Sequence, residues 1–285
     1  MIQKLQQYIL AALLLSAALP LAAQQGAPTA AGARGIGMAG TGVAFDDVNS
    51  AFSNQAGTAF VEQMAFSVYG EQRFFVPGLN TLGFAGLYPV KKIGTVGLTF
   101  NYFGFSHLNE QKIGLLYARQ LSKNFSLGVK FDYLATRIPD YGMAHNFTAE
   151  LGLLYKVSKQ LSLAAHTYNP FRAKLPSGDN LATVFKFGLM YSPSKQVSIT
   201  GEVEKDLVYP ISGKIGLEYR PIAALAVRAG FASAPFRASF GIGLKWDAFV
   251  MDFASSYHET LGFSPALSLA YVMNKKAAAA APKAE

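Results

Sequence analysis

Lys112-Ile113-Gly114-Leu115-Leu116-Tyr117 is the stretch on which the fold turns. In a strand, Ile113, Leu115 and Tyr117 share one apolar face, while Lys112 and Gly114 lie on the other. The same phrase recurs along the chain and closes on Tyr88, Tyr117, Tyr155, Tyr191, Tyr219 and Trp246. The third residue before each aromatic is Gly114, Gly152, Gly188, Gly216 or Gly243, with Ala85 as the one exception. A short polar turn follows each aromatic. This pattern predicts an all-β protein, a transmembrane antiparallel β-barrel whose apolar face meets lipid and whose aromatics form an interfacial girdle.

From Met64 to about residue 274 the alternation divides into fourteen segments. An even count returns the chain to the side from which it started, and closure leaves no unpaired edge for lipid to meet. The faces differ in charge. The aromatic-bearing face, with Leu127, Val129, Phe131 and Tyr133 or Phe185, Phe187, Leu189 and Tyr191, is expected to carry no charged residue. The lumen-facing side is expected to hold Lys112, Lys130, Lys186, Lys214, Arg228 and Lys245 against an equal number of acids, Asp132, Glu150, Glu202, Glu204, Glu218 and Asp252. One Lys or Arg facing lipid at mid-depth costs about 2–4 kcal/mol, a penalty that a soluble sandwich or propeller would not face. The inward glycines either relieve crowding in the wall or leave room for a plug. Short repeated turns such as Ser122-Lys123-Asn124, Ser158-Lys159-Gln160 and Ser194-Lys195-Gln196 suit the periplasmic side, with both termini. The longer connections, Ile138 to Ala144 and Asn169 to Asn180, suit the outside.

Residues 1–23 read as an export signal, because the apolar run from Tyr8 to Leu21 is too short to span a bilayer. Residues 24–63 lack strand alternation and read as a partly helical hatch in the lumen; residues 275–285 form an Ala/Lys-rich periplasmic tail. Removing the signal's single cation, Lys4, lowers the formal charge from +8 to +7. Many of the basic residues sit in turns and at strand ends, with no basic stripe, so no nucleic-acid partner is expected. The absence of cysteine excludes disulfides and thiolate metal sites. The four histidines are scattered, and no metal, cofactor or catalytic site is assigned. Gly35-Ile36-Gly37-Met38-Ala39-Gly40 matches the dinucleotide fingerprint, but without a βαβ context it reads as a tightly folded segment against the wall. His258 beside Ser255, Ser256 and Glu259 allows a lipid hydrolase, against which stands chance pairing in a serine-rich chain.

The segment Gly32 to Gly40, then Val43-Ala44-Phe45-Asp46-Asp47 and Asn54-Gln55-Ala56-Gly57, resembles the N-terminal hatch of the PorV/PorQ family, within the FadL-like outer-membrane barrels. Gly216 to Pro221, Val227 to Phe231, Gly241 to Leu244 and Met251 to Ala254 extend the similarity over most of the chain. The resemblance implies fourteen strands and a hatch containing Arg34, Gly35, Gly37, Gly40, Asp46, Asp47, Asn54 and Gly57. It also implies a Bacteroidota-type outer membrane and a non-catalytic part in type IX secretion or outer-membrane assembly, with protein partners. The wider FadL-like group implies instead passive transport of hydrophobic small molecules, which requires an apolar pocket between hatch and wall. Gln55 stands where the family hatch has proline, and the outer connections are short. A protein partner would meet apolar residues at the outer rim, for which Phe74, Phe75, Phe105, Phe171 and Phe236 are the candidates.

Overall fold

The computed structural model describes residues 30–139, 142–174 and 180–273. The segments read as export signal and C-terminal tail lie outside the described residues, as do the first residues of the hatch segment. Fourteen strands follow the hatch: β1 (Ala65–Gln72), β2 (Asn80–Val90), β3 (Gly94–Phe105), β4 (Leu108–Gln120), β5 (Phe125–Ile138), β6 (Gly142–Lys156), β7 (Leu161–Tyr168), β8 (Val184–Tyr191), β9 (Val197–Asp206), β10 (Ser212–Ile222), β11 (Leu225–Ser233), β12 (Phe236–Trp246), β13 (Phe249–His258) and β14 (Gly262–Val272). Each pairs antiparallel with its neighbours, and β1 pairs with β14 to close the barrel. Among the described residues no helix is long and apolar enough to cross a membrane.

Local sequence sets the hairpins. In the three Ser-Lys turns the serine hydroxyl accepts backbone N–H bonds from two and three residues ahead, as when Ser158 Oγ takes Gln160 and Leu161 at 3.1 Å each. Ser122 and Ser194 do the same. The side chain thereby closes each turn without the left-handed backbone that glycine would supply. At the opposite end only the connections from β1 to β2 and from β7 to β8 are longer, whereas Ser106-His107 and Ala234-Pro235 are no longer than the serine turns, which corrects the expectation of longer outer connections. The described residues next to β7 and β8 pack inward. There the buried Asn169, at φ 53°, receives Ala173 N–H on Oδ1 and donates Nδ2 to the Leu181 carbonyl.

The outer surface is a belt of exposed apolar side chains, with Leu115, Phe131, Phe147 and Phe187 each at least 60% exposed. Exposure of that extent is what a hydrocarbon solvent permits and water does not. Tyr88, Tyr117, Tyr155, Tyr191, Tyr219 and Trp246 are all exposed and sit within three residues of their strands' ends, ringing the short-turn rim. One expectation needs correction. Arg119, Arg137 and Lys205 lie on the outward face, in the outward strand positions following Tyr117, Ala135 and Val203. Each is one residue from its strand's end, where the side chain can reach the polar headgroup region, so charge is excluded from the middle of the belt only.

Candidate functional site

The lumen is filled by the hatch. Gly32–Ile36 forms a short helix, α1, and Ser50–Ser53 forms α2, after which Gln55–Phe60 makes a 3-10 helix capped by Asn54. Phe45 and Phe52 are completely buried. Gly35 to Gly40 turns tightly at Ala39 (φ 59°) and Gly40 (φ 79°) and lies against β12, where a Cβ on Gly37 would come within 3.3 Å of Gly241 Cα. Gly57 is equally constrained, since a Cβ there would collide with the Phe45 carbonyl and lie 2.8 Å from Ser50 Cβ. Asp46 meets Lys156 at 2.7 Å.

Three wall glutamates grip this segment. Glu218 on β10 accepts Nε and Nη2 of Arg34 at 3.1 and 3.0 Å, a bidentate pair that fixes the guanidinium plane. Arg34 Nη1 donates to Asp47 at 2.5 Å, and its guanidinium lies 4.2 Å above the Phe45 ring. Burial alone would lower the Arg34 pKa, but the carboxylates of Glu218 and Asp47 outweigh it and hold the group above its ordinary value, fully charged. The network runs on through Arg228, which donates to Glu218 at 2.6 Å and to Asp252 at 2.8 Å.

Glu202 on β9 accepts the backbone N–H groups of Gly42 and Val43 at 3.0 and 3.1 Å. Lys214 stands between Glu202 and Glu204, and Lys186 meets Glu204 at 3.3 Å. The third grip is Glu150 on β6, which accepts a hydrogen bond from Gln55 Nε2 of the hatch and lies within hydrogen-bonding distance, 3.0 Å, of His166 Nε2. Lys130 approaches Glu150 at 2.9 Å, Lys112 at 3.6 Å, and Asp132 completes the cluster. Proline at position 55 would have no amide to send into it. Asn54 donates Nδ2 to Val43 O at 2.7 Å within the hatch and to Leu153 O of β6 at 3.0 Å, which ties hatch to wall.

The inward glycines divide between two roles. A Cβ on Gly188 or Gly216 would lie 2.5 Å from Val43 or Met38 of the hatch, and one on Gly152 would strike Asn54. Gly114 and Gly243 instead make room for charged side chains, with Asp132 at 2.5 Å and Asp252 at 2.6 Å from their added Cβ atoms. Of the acids and bases read as lumen-facing, Lys245 departs from the rest. It follows the inward parity but is exposed at the short-turn rim, outside the buried ion pairs. His166, Lys156, Arg220 and the buried Tyr168 join the lumen network without having been singled out in the sequence. The inward parity of Ser162, Ala164 and His166 on β7 was the available signal.

Two cavities flank the hatch. At the short-turn end a pocket of about 560 Å³ is lined by Val48 and Val61 of the hatch and by Ala226, Val250 and Val272 of the wall, together with the charged Arg34, Asp47, Arg228, Lys245 and Asp252. At the long-loop end a polar vestibule of about 290 Å³ is bordered by Tyr69, Glu204, Arg237 and His258. His258 Nδ1 accepts the N–H groups of Thr260 and Leu261, while its ring meets that of Phe74 at 5.9 Å. Phe74 is therefore half-buried over the vestibule and not part of an exposed rim, unlike Phe75, Phe105, Phe171 and Phe236. Among the described residues no group of three potential ligands is placed to hold a metal.

Neither a family model nor a curated protein matches the sequence. Solved structures do. The CymD monoaromatic hydrocarbon channel aligns with a TM-score of 0.66 at 13% identity, covering 87% of this chain and 98% of that one. The P. putida toluene transporter TodX gives 0.65 at 12% identity, covering 87% and 100%. A Pseudomonas aeruginosa FadL homologue gives 0.64 at 12% identity, covering 87% and 99%. At these identities the likeness shows the fold alone: the barrel architecture that this chain shares with these proteins.

Proposed function

We propose that the chain is a non-catalytic, FadL-like channel for passive passage of hydrophobic small molecules across a Gram-negative outer membrane, with its short turns and termini in the periplasm. The observation that carries this reading is the pocket between hatch and wall. Its volume of about 560 Å³ falls within the roughly 300–1,000 Å³ typical of small-molecule sites. Its lining joins the apolar Val48, Val61, Val250 and Val272 to the ion-paired Arg34, Asp47, Arg228 and Asp252, and the FadL-like transport reading requires a space between hatch and wall. The fold neighbours named for hydrocarbon and toluene transport support the same choice.

The alternative is a partner-binding role in secretion or outer-membrane assembly, as the PorV/PorQ resemblance implies. It is favoured by the exposed Phe75, Phe105, Phe171 and Phe236 at the long-loop rim, but no compared protein supports it. Two measurements separate the readings. Proteoliposomes containing the protein should admit a neutral hydrophobic fluorophore faster than empty vesicles, and Val61→Trp, which fills the pocket, should slow that passage. A rate equal to that of empty vesicles, with a stoichiometric protein companion on purification in mild detergent, would refute the channel and favour the adaptor.

A further inference from the structure

Among the strand glycines that face outward, Gly70 and Gly86 have the Leu82 and Phe66 side chains 3.4 Å from an added Cβ, whereas two others have no neighbour that close. Gly201 on β9 and Gly213 on β10 are diagonal neighbours, since Gly201 pairs with Ile215 and Val203 with Gly213. Neither has a positive φ, and a Cβ on either meets nothing nearer than Leu189 Cγ at 3.9 Å or Ser233 Oγ at 3.7 Å. Glycine inside a strand weakens it, and here neither crowding nor backbone geometry demands it. The missing side chains leave a groove of about 900 Å³ on the outer wall, bordered by Phe187, Leu189, Val203, Ile215, Phe231 and Phe236.

Towards the long-loop end, the next outward residue on β9 after Val203 is Lys205. Its ammonium donates to the Tyr209 carbonyl at 2.7 Å, and an ammonium carries three donors. Lys205 is one residue from the end of β9, which places a cation at headgroup depth beside an apolar trough on a face that meets hydrocarbon. We infer that the groove binds one acyl chain of a net-anionic phospholipid, with Lys205 pairing with its uncompensated phosphate charge. The trough supplies apolar contact for the chain, and the lysine supplies the opposite charge at the level where lipid phosphates lie. The assignment rests on the transmembrane fold and is independent of transport.

The test is native mass spectrometry of the full mature chain in detergent, with added phosphatidylglycerol or phosphatidylcholine of identical chains. The wild type should retain one phosphatidylglycerol in preference to phosphatidylcholine. Gly201→Leu combined with Gly213→Leu, whose side chains have room, should abolish retention while strand content and heat-modifiable gel mobility are unchanged. Lys205→Gln should cut the lipid preference about fivefold, the effect of one lysine near an anionic headgroup. A folded double variant that retains as much lipid as the wild type, or a wild type indifferent to headgroup, overturns the assignment. Should the paired leucines prevent folding, Lys205→Gln decides alone, and an unchanged preference counts against it.

Discussion

Replacing Gly230 by alanine tests whether the glycines of the inner wall are there for the hatch. Gly230 lies on the inward face of β11, and a Cβ there would stand 2.5 Å from Met38 C, 2.7 Å from Ala39 N and 2.8 Å from Met38 Cα. Carbon contacts settle at about 3.5–4.0 Å, so hatch and strand must separate by about 1 Å. Both sides of the contact are backbone, and the turn at Ala39 (φ 59°) and Gly40 (φ 79°) leaves little freedom to yield. Overpacking of this kind costs roughly 1–3 kcal/mol. Gly201→Ala is the control, because its Cβ meets only Leu189 Cγ at 3.9 Å, and alanine in a strand interior is favoured over glycine by about 0.5–1 kcal/mol. Urea unfolding in detergent, followed through the single tryptophan, should show opposite shifts in midpoint for the two variants. Limited proteolysis should cut the hatch faster in Gly230→Ala alone. A Gly230→Ala protein with wild-type midpoint and a protected hatch would refute the reasoning.

Glu150→Gln removes the carboxylate that faces Lys130 at 2.9 Å and Lys112 at 3.6 Å, leaving Asp132 to balance both. The expected loss is about 3–5 kcal/mol, read as a lower urea midpoint; an unchanged midpoint would mean that the cluster is hydrated or already neutral. Trp246 is 84% exposed at the short-turn rim. Its fluorescence should be quenched by brominated lipid in vesicles and hardly by a water-soluble quencher if the girdle lies in the membrane interface, whereas the reverse pattern would put that rim in water.

The barrel was legible because it rests on a local rule. In β4, Ile113, Leu115 and Tyr117 against Lys112 and Gly114 declare a face within six residues, and the same declaration repeats until the count reaches fourteen. Parity does not report depth, however. Lys245 and Lys112 obey the same alternation, yet one is exposed at the rim and the other is buried beside Glu150. Nor does parity show where one residue step beyond an apolar row becomes tolerable, which is why Lys205 escaped notice. The hatch contacts were illegible for another reason. Arg34 meets Glu218 across 184 positions and Gln55 meets Glu150 across 95, and no short-range pattern encodes such pairings. In the sequence Gln55 stands out only as a departure from proline. Its use became visible once Glu150 and His166 were placed beside it.

The hatch is fastened unevenly. Its principal polar ties run to β6, β9 and β10 through Glu150, Glu202 and Glu218. On the opposite arc Val48, Ala51 and Phe52 rest on Ala65, Leu87 and Ala270, while Ala33 and Ile36 touch Ala254 and Ala266. A greasy solute wedging into that second seam exchanges one hydrocarbon neighbour for another and strands no charge, whereas one forcing the first would leave carboxylates bare. The plug is thus built like a door hung on ionic hinges with an oiled jamb, and in the channel proposed above a solute taking the jamb side would leave every hinge engaged.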